Sequence, residues 1–372
     1  MLHVLHIKYS LGYDGASMQE LQWAKKLKND VTFDWLVFGN GEKSIEEEFK
    51  KIGSNIHIMK EAGGRAGKVN KYIGMYKYIK SKKYDIVHVD TEALTAWGFL
   101  ACALFAGSKK RIMHSHNTFQ QDISGLKKSS YVKKLNRFLM RIFATEYVAC
   151  SLDAAKWLFP TSIIDKCVIM PNGIDCDKFA YNENARKILR KELNIDGTVV
   201  LGHVGRFCGQ KNQRFLIDLF CELIDKNVGL RLLLLGDGED LSKIKQYAFE
   251  RGVEDKVIFT GNVTNVNNYL SAMDIFVFPS LFEGLGIVGV EAQCEGLECF
   301  VSNHVPEELN VTGKVKYLPL EDMNLWINEI KQAIEMLKSC PNNNRSECNN
   351  IVRETDYNIE RSSKLLLDLY TK

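Results

Sequence analysis

The chain has 372 residues, 45% hydrophobic and 26% charged, with a net charge of +3. At about 150 residues per domain this length predicts two domains, and the balance excludes wholesale disorder, a collagen-like repeat and a coiled coil. The longest apolar run, 96–106, spans 11 residues where a membrane span needs about 20, and the N-terminus has no secretory pattern.

Charge is unevenly spread. Residues 1–180 hold 27 Lys and Arg against 18 Asp and Glu, while the remainder holds 22 against 28. A basic first half and an acidic second half predict different partners for the two domains. The ten cysteines form no Cys-x-x-Cys pair, and Cys102, Cys150 and Cys221 lie in apolar segments. Reduced thiols and a cytoplasmic chain are expected.

From the N-terminus, β-rich runs at 3–9, 31–38, 56–59, 86–89, 111–114 and 146–149 alternate with amphipathic stretches such as 18–28 and 72–82. This alternation predicts a parallel sheet covered by helices. Pro171-Asn172-Gly173-Ile174-Asp175 is dense in turn residues and reads as an inter-domain joint. The pattern then restarts with a helix at 185–193 and strands at 199–204, 230–235, 257–260, 275–278 and 299–301. An Asn-rich stretch at 342–350 precedes a final helical period at 359–370. The expected division is 1–175, 176–352 and a terminal segment 353–372 that packs back on the first domain.

Doubly wound domains place ligands beyond the carboxyl ends of their strands. After the first strand stand Gly12 and Gly15, ahead of a helix. The run is not G-x-G-x-x-G, and either a plain tight turn or a close approach to phosphate or sugar accounts for it. After the fifth strand comes His114-Ser-His116-Asn117-Thr118. Alternation puts both histidines on one side of the strand. A zinc reading needs a third and fourth ligand, and none is adjacent in the sequence; a histidine packed on the sheet and satisfied by backbone is the other reading.

In the second half, Gly205-Arg206 and Lys211-Asn212 flank a glycine-interleaved loop just before a helix. Two cations beside backbone N–H groups suit an anion, although the Walker spacing is absent. Gly236-Asp237-Gly238-Glu239 is a weaker strand-end turn. In 279–291 a strand ends, the loop Glu283-Gly284-Leu285-Gly286-Ile287 turns, and a helix carries Glu291. Two carboxylates suit hydroxyl-rich groups such as a ribose and a sugar ring.

These residues together resemble the GT-B glycosyltransferases of family 4, the retaining nucleotide-sugar-dependent group. The likeness rests on Glu283 and Glu291, the Arg206 and Lys211 loop, Pro171-Asn172-Gly173-Ile174-Asp175, the early Gly-rich loop and the His114–His116 run, and it extends over nearly the whole chain. Within the family, bacterial capsular and exopolysaccharide transferases are most similar.

The resemblance implies an α/β GT-B fold of two Rossmann-like doubly wound parallel-sheet domains facing each other across a cleft. It implies that Arg206 and Lys211 hold the donor diphosphate, with backbone near Gly205 and Gly284, Leu285, Gly286 and Ile287. Glu291 would take the ribose, Glu283 the transferred sugar, and His116 would lie near sugar and acceptor. Gly15 would let the first loop approach the donor. Where the family often has Gly-Gly-x-Glu, this chain has Asp14-Gly15-Ala16-Ser17.

The implied function is transfer of a hexose or N-acetylhexosamine from a nucleotide diphosphate sugar, a UDP-sugar by preference, to a surface-polysaccharide or lipid-linked glycan acceptor. Neither a metal nor a cofactor is implied. A nucleotide-sugar 2-epimerase and a non-catalytic nucleotide-sugar-binding regulator are the competing functions. Two basic amphipathic stretches, Lys127, Lys128, Lys133, Lys134, Arg137 and Arg141, then Lys71, Lys77, Lys80, Lys82 and Lys83, read either as solvated faces of core helices or as peripheral contacts with the anionic inner face of the cytoplasmic membrane. No nucleic-acid signature is present.

Overall fold

A computed structural model of the chain describes residues 1–59, 64–91, 93–116, 130–224, 229–339 and 345–372. Asn117, Thr118, Lys127, Lys128 and 342–344, all singled out above, lie outside the described residues. The chain divides into two compact units, Met1–Gly173 with Ile359–Lys372, and Ile174–Asn358.

The first unit holds β1 (Leu2–Lys8), β2 (Val31–Val37), β3 (Asn55–Ile58), β4 (Ile86–Asp90), β5 (Lys110–Ser115), β6 (Glu146–Ala149) and β7 (Val168–Ile169). They form one parallel sheet in the order β3-β2-β1-β4-β5-β6-β7. The second unit holds β8 (Val199–Val204), β9 (Leu230–Leu235), β10 (Val257–Phe259), β11 (Ile275–Phe278), β12 (Glu298–Ser302) and β13 (Val315–Leu318), parallel in the order β10-β9-β8-β11-β12-β13. Both orders reverse direction after the unit's first strand, as in Rossmann domains. The crevices that this reversal opens lie between β1 and β4, and between β8 and β11.

The strand cores are near-continuous apolar runs because helices cover both faces. In β9, Leu232, Leu233, Leu234 and Leu235 are all buried. Two strands escape the sequence reading. β7 is two exposed residues long, and β13 is the four-residue run Val315-Lys-Tyr-Leu, whose burial does not alternate.

The first helix, Gly15–Lys26, begins three residues before the expected 18. Asp14 caps it by accepting from the Ser17 N–H at 2.9 Å, which starts a helix wherever the side chain can reach. Residues 353–358 stay with the second unit, six residues beyond the expected break at 352. Asn349 Nδ2 donates to Cys176 O at 2.7 Å, Ile174 N–H donates to Tyr357 O at 2.7 Å, and Val352 is fully buried in that unit's core. The C-terminal helix, Ile359–Thr371, packs in the first unit, where Leu366, Leu369 and Tyr370 join the core around Val4, Phe33 and Ile112.

Candidate active site

In the second unit three loops meet at the carboxyl ends of β8, β9 and β11. Gly236 and Gly238 both have positive φ, +127° and +156°. A Cβ at Gly236 would stand 2.2 Å from Gly205 O, and one at Gly238 2.3 Å from Phe207 O. Only glycine permits so close a backbone approach at such angles. The contact is sealed by Phe207 N–H to Asp237 O at 2.9 Å and Asp240 N–H to Phe207 O at 3.1 Å. The weak turn 236–239 is therefore one wall of the Arg206–Lys211 loop. The other wall is the loop after β11: Leu281 N–H donates to Gln210 O at 2.8 Å and Gln210 Nε2 to Phe282 O at 2.9 Å.

Held this way, Lys211 Nζ donates to Glu283 Oε1 at 2.6 Å and lies 4.8 Å from the centre of the Phe278 ring. The two side chains are only 17% and 7% exposed. Arg206 differs. It is 71% exposed and pairs with Glu239 at 2.9 Å. The two cations thus do not act as a matched pair: Lys211 is buried against a carboxylate, and Arg206 reaches outward. Glu239 is the partner the sequence reading passed over, and the close packing of its G-x-G turn was the available signal.

Beyond Glu283, Gly286 takes φ +84° and forms the N-cap of the helix Ile287–Cys294, with no side-chain cap and no acidic residue in the first turn. A helix start left so bare favours an anion. Leu285 is buried beneath it. Glu291 lies in the second turn, half-buried. Burial pushes its carboxyl up to about 7, against the opposing pull of Lys178, and no hydrogen bond or ion pair engages it among the described residues. Ionised, such a group accepts hydrogen bonds only.

In the first unit the polar side chains rise from the strands themselves. His6 and Lys8 on β1, His88 and Asp90 on β4, and His114 on β5 share one parity, and the register pairs His6 with His88 and Asp90 with His114. They therefore share one face of the sheet, and His116 follows just past the end of β5. His116 Nε2 lies 3.0 Å from Asp90 Oδ1, His6 Nδ1 lies 2.6 Å from Asp90 Oδ2, and the His114 and His116 rings stand 3.9 Å apart.

Burial opposes charge on Asp90, but His88 and His6, with hydrogen bonds from His116 and His6, outweigh it and hold the carboxyl well below the usual carboxylate range. Burial lowers His88 to about 3, with Asp90 pulling the other way, and lowers His114 well below the usual imidazole range. Nearby, Lys8 Nζ donates to Glu20 Oε1 and to Ser17 Oγ, both at 2.9 Å. Burial works against the ammonium, yet Glu20, Asp14 and Asp90 raise its pKa overall. Ser17 Oγ in turn donates to Asp14 Oδ2 at 2.6 Å. The Asp14–Ser17 departure from Gly-Gly-x-Glu is thus a helix cap tied to a buried lysine, and Gly15 is the exposed first residue of that helix.

Two expectations for the histidines are corrected. His114 is fully buried but is not satisfied by backbone: its Nδ1 meets His88 Nε2 at 3.2 Å and its Nε2 has no partner. Nor do His114 and His116 lack further ligand-type neighbours. His6, His88 and Asp90 form one group, and Asp90, His114 and His116 another, with donor atoms all within 4.8 Å. Residues 24 to 84 positions apart in the chain meet because β1, β4 and β5 are adjacent in the sheet. The nitrogens are turned on one another and on Asp90, so hydrogen bonds already hold the cluster together.

The nine cysteines among the described residues are free thiols, and among those residues no helix is long and apolar enough to cross a membrane. The two basic stretches differ. In the helix Gly64–Lys82, Met75 and Ile79 are core, and Lys71 Nζ sits 3.7 Å over the Phe38 ring. In the helix Ser130–Phe143, Tyr131, Leu135, Phe138 and Ile142 are exposed at 75, 45, 55 and 50%.

Two family profiles match the chain: Glycosyltransferase Family 4 over residues 16–178 and Glycosyl transferases group 1 over 198–336. The Bacillus subtilis (strain 168) protein EpsF, named as a glycosyltransferase, is 30% identical over 338 residues, covering 89% of this chain and 87% of its own. An Escherichia coli UDP-Gal:alpha-D-GlcNAc-diphosphoundecaprenol alpha-1,3-galactosyltransferase is 26% identical over 302 residues, 77% of this chain and 76% of its own. The crystal structure of Anabaena HepE in complex with UDP-glucose superposes with a TM-score of 0.81 at 18% identity over the full length of both chains. With two Rossmann-like parallel-sheet units and these relatives, the chain belongs to glycosyltransferase family 4 and has the GT-B fold.

Proposed function

We propose that the chain transfers a hexose or N-acetylhexosamine, with retention, from a UDP-sugar to a lipid-linked glycan that becomes surface polysaccharide. The observation that carries this reading is the buried Lys211–Glu283 pair beside the uncapped helix start at Gly286. A cation and bare N–H groups for a diphosphate stand next to a carboxylate for sugar hydroxyls.

On this reading the second unit binds the donor. Lys211 and the backbone of Gly284, Leu285, Gly286 and Ile287 receive the diphosphate, and Arg206 approaches from the exposed side past Gly205. Glu291 accepts from the ribose, and Glu283 orients the sugar. Charge that builds on the departing diphosphate meets Lys211 and Arg206 where a metal would otherwise be needed. The first unit binds the acceptor, with Gly15 at its loop and His116 at the reacting hydroxyl. The acceptor attacks from the face the diphosphate leaves, and the leaving phosphate takes its proton. The exposed apolar stripe of Ser130–Phe143, flanked by Lys133, Lys134 and Arg141, suits peripheral contact with an anionic membrane on the cytoplasmic side, where a lipid-linked acceptor resides. Support comes from the E. coli relative, whose name gives a UDP-sugar donor and a diphosphoundecaprenol acceptor.

The test is turnover of UDP-, GDP-, ADP- and CMP-sugars, each with and without a diphosphoundecaprenol-linked saccharide, in EDTA. The expected result is acceptor-dependent release of UDP and an α-linked product by NMR. Acceptor-independent conversion of the sugar would support an epimerase instead, and binding without turnover a regulator.

A further inference from the structure

The hydrogen-bond donors in the first unit's polar cluster can be assigned one after another. A carboxylate only accepts, so the protons in its two close contacts belong to the rings: His6 Nδ1 at 2.6 Å and His116 Nε2 at 3.0 Å, with His88 Nε2 and His114 Nδ1 farther off at 3.6 Å. In a neutral ring the second nitrogen is then an acceptor. His6 Nε2 lies 3.1 Å from the Tyr370 hydroxyl, which donates to it. Tyr370 Oη then accepts from His88 Nδ1 at 2.9 Å. His88 Nε2, left with its lone pair, accepts from His114 Nδ1 at 3.2 Å. The chain has one direction throughout, and Asp90 sets it.

Two lone pairs remain, on His114 Nε2 and His116 Nδ1. Those two nitrogens are the ones that are buried without a partner. His114 is fully enclosed, whereas the His116 side chain keeps 8% exposure at the carboxyl end of the sheet. An unpaired buried acceptor at a strand end awaits a donor.

We propose that Asp90 is a positioning residue for His116: it fixes the Nε2–H tautomer, so that Nδ1 is presented as a hydrogen-bond acceptor to a substrate hydroxyl. His6, at the head of the His6–Tyr370–His88–His114 chain, takes Asp90 Oδ2, while His88 Nε2 and His114 Nδ1 stand 3.6 Å from Oδ1, where His116 makes the shorter contact. This rests on the reading of His116 as the residue at the reacting hydroxyl. The C-terminal helix, through Tyr370, thereby completes the surroundings of a residue on another element.

The test is a long-range proton–nitrogen correlation spectrum of the full chain labelled with nitrogen-15, beside steady-state kinetics. The wild type is expected to show His116 protonated on Nε2 and bare on Nδ1. Asp90→Asn, whose amide must donate to one of its two histidines, is expected to shift His116 or His6 toward the other tautomer. Its kcat should fall about tenfold, the worth of one hydrogen bond in the transition state, with KM for the donor unchanged. Tyr370→Phe leaves the Asp90–His116 contact in place and should keep the wild-type tautomer of His116.

A wild-type His116 protonated on Nδ1, or an Asp90→Asn variant with both His116 and His6 unaltered, overturns the proposal. If Asp90→Asn does not fold, the wild-type and Tyr370→Phe spectra still decide it. The tautomer is read without turnover, so an inactive wild type counts against the proposed function and leaves this inference standing.

Discussion

At the carboxyl ends of β8 and β11 the charged side chains stand on loops, whereas at those of β1, β4 and β5 they stand on the strands or immediately past them. The loop site needs glycines, because three backbones converge within van der Waals contact. The strand site needs none: its geometry comes from the 4.7–4.9 Å strand spacing typical of sheets and from shared parity. The loop site holds a close, largely enclosed ion pair between Lys211 and Glu283. The strand site is a buried array around one carboxylate, with two buried ring nitrogens left without a partner, on His114 and His116. On the proposed function, one crevice receives charge and the other a hydroxyl.

The sharpest way to break that contrast is at Lys211. Lys211→Ala removes the half-buried cation that pairs with Glu283, and oxyanion-type contacts of this kind are worth about 100- to 1,000-fold in kcat. UDP affinity should fall with it, while uridine affinity barely changes, as read by calorimetry. Asp90→Asn, in the other crevice, should leave UDP affinity intact. Equal losses of UDP affinity in both variants would show that the two crevices are not specialised as described.

Next in size is backbone packing. Gly236→Ala places a Cβ against Gly205 O at positive φ, a strain of about 1–3 kcal/mol. Melting temperature and UDP affinity should both drop. The exposed glycines Gly252, after a helix, and Gly313, in the turn before β13, have open space around them, and alanine there should spare UDP affinity. Loss of UDP binding in all three variants would remove the special standing of the 205–211 and 236–239 contact.

Glu291 sharpens the comparison through pH. Its carboxyl is raised from 4.5 to about 7 by burial. The folded chain therefore holds a proton that the unfolded chain releases near 4.5. Stability falls as pH climbs from about 4.5 to about 7, and the penalty is constant above that. Glu291→Gln should flatten this slope and raise the melting temperature at pH 8 without donor. UDP affinity in the wild type should rise across pH 6 to 8 as the acceptor-only carboxylate forms, and that rise should vanish in the variant. A pH-independent wild type would remove Glu291 from the ribose.

The smallest effect is expected at the surface. Lys133→Glu with Lys134→Glu should weaken binding to anionic vesicles by about 1 kcal/mol per original charge at low salt, and co-sedimentation in high salt should erase the difference. UDP affinity should not move. Wild-type chain that ignores anionic vesicles at low salt would make the Ser130–Phe143 stripe an ordinary solvated face.

The parallel architecture was legible because apolar runs of strand length recur between amphipathic stretches, and eleven of the thirteen strands announce themselves that way. The two short edge strands, β7 and β13, carry no such signal. The 205–211 loop was legible as Gly, Arg and Lys in one span, since so close a backbone approach favours glycine. The split roles of Lys211 and Arg206 were not legible, because each takes its partner from a different loop: Glu283 lies 72 residues from Lys211, and Glu239 33 from Arg206.

His6, His88, Asp90 and Tyr370 stand up to 364 residues apart, and each alone reads as a stray polar residue in an apolar segment. Local sequence determined the two Rossmann units and the phosphate-seeking loops, because periodicity and glycine act over a few residues. Only the tertiary structure decided which histidine nitrogen is left bare, because a proton's place on an imidazole is set by what faces the opposite nitrogen, and strand order and the returning C-terminal helix choose that neighbour.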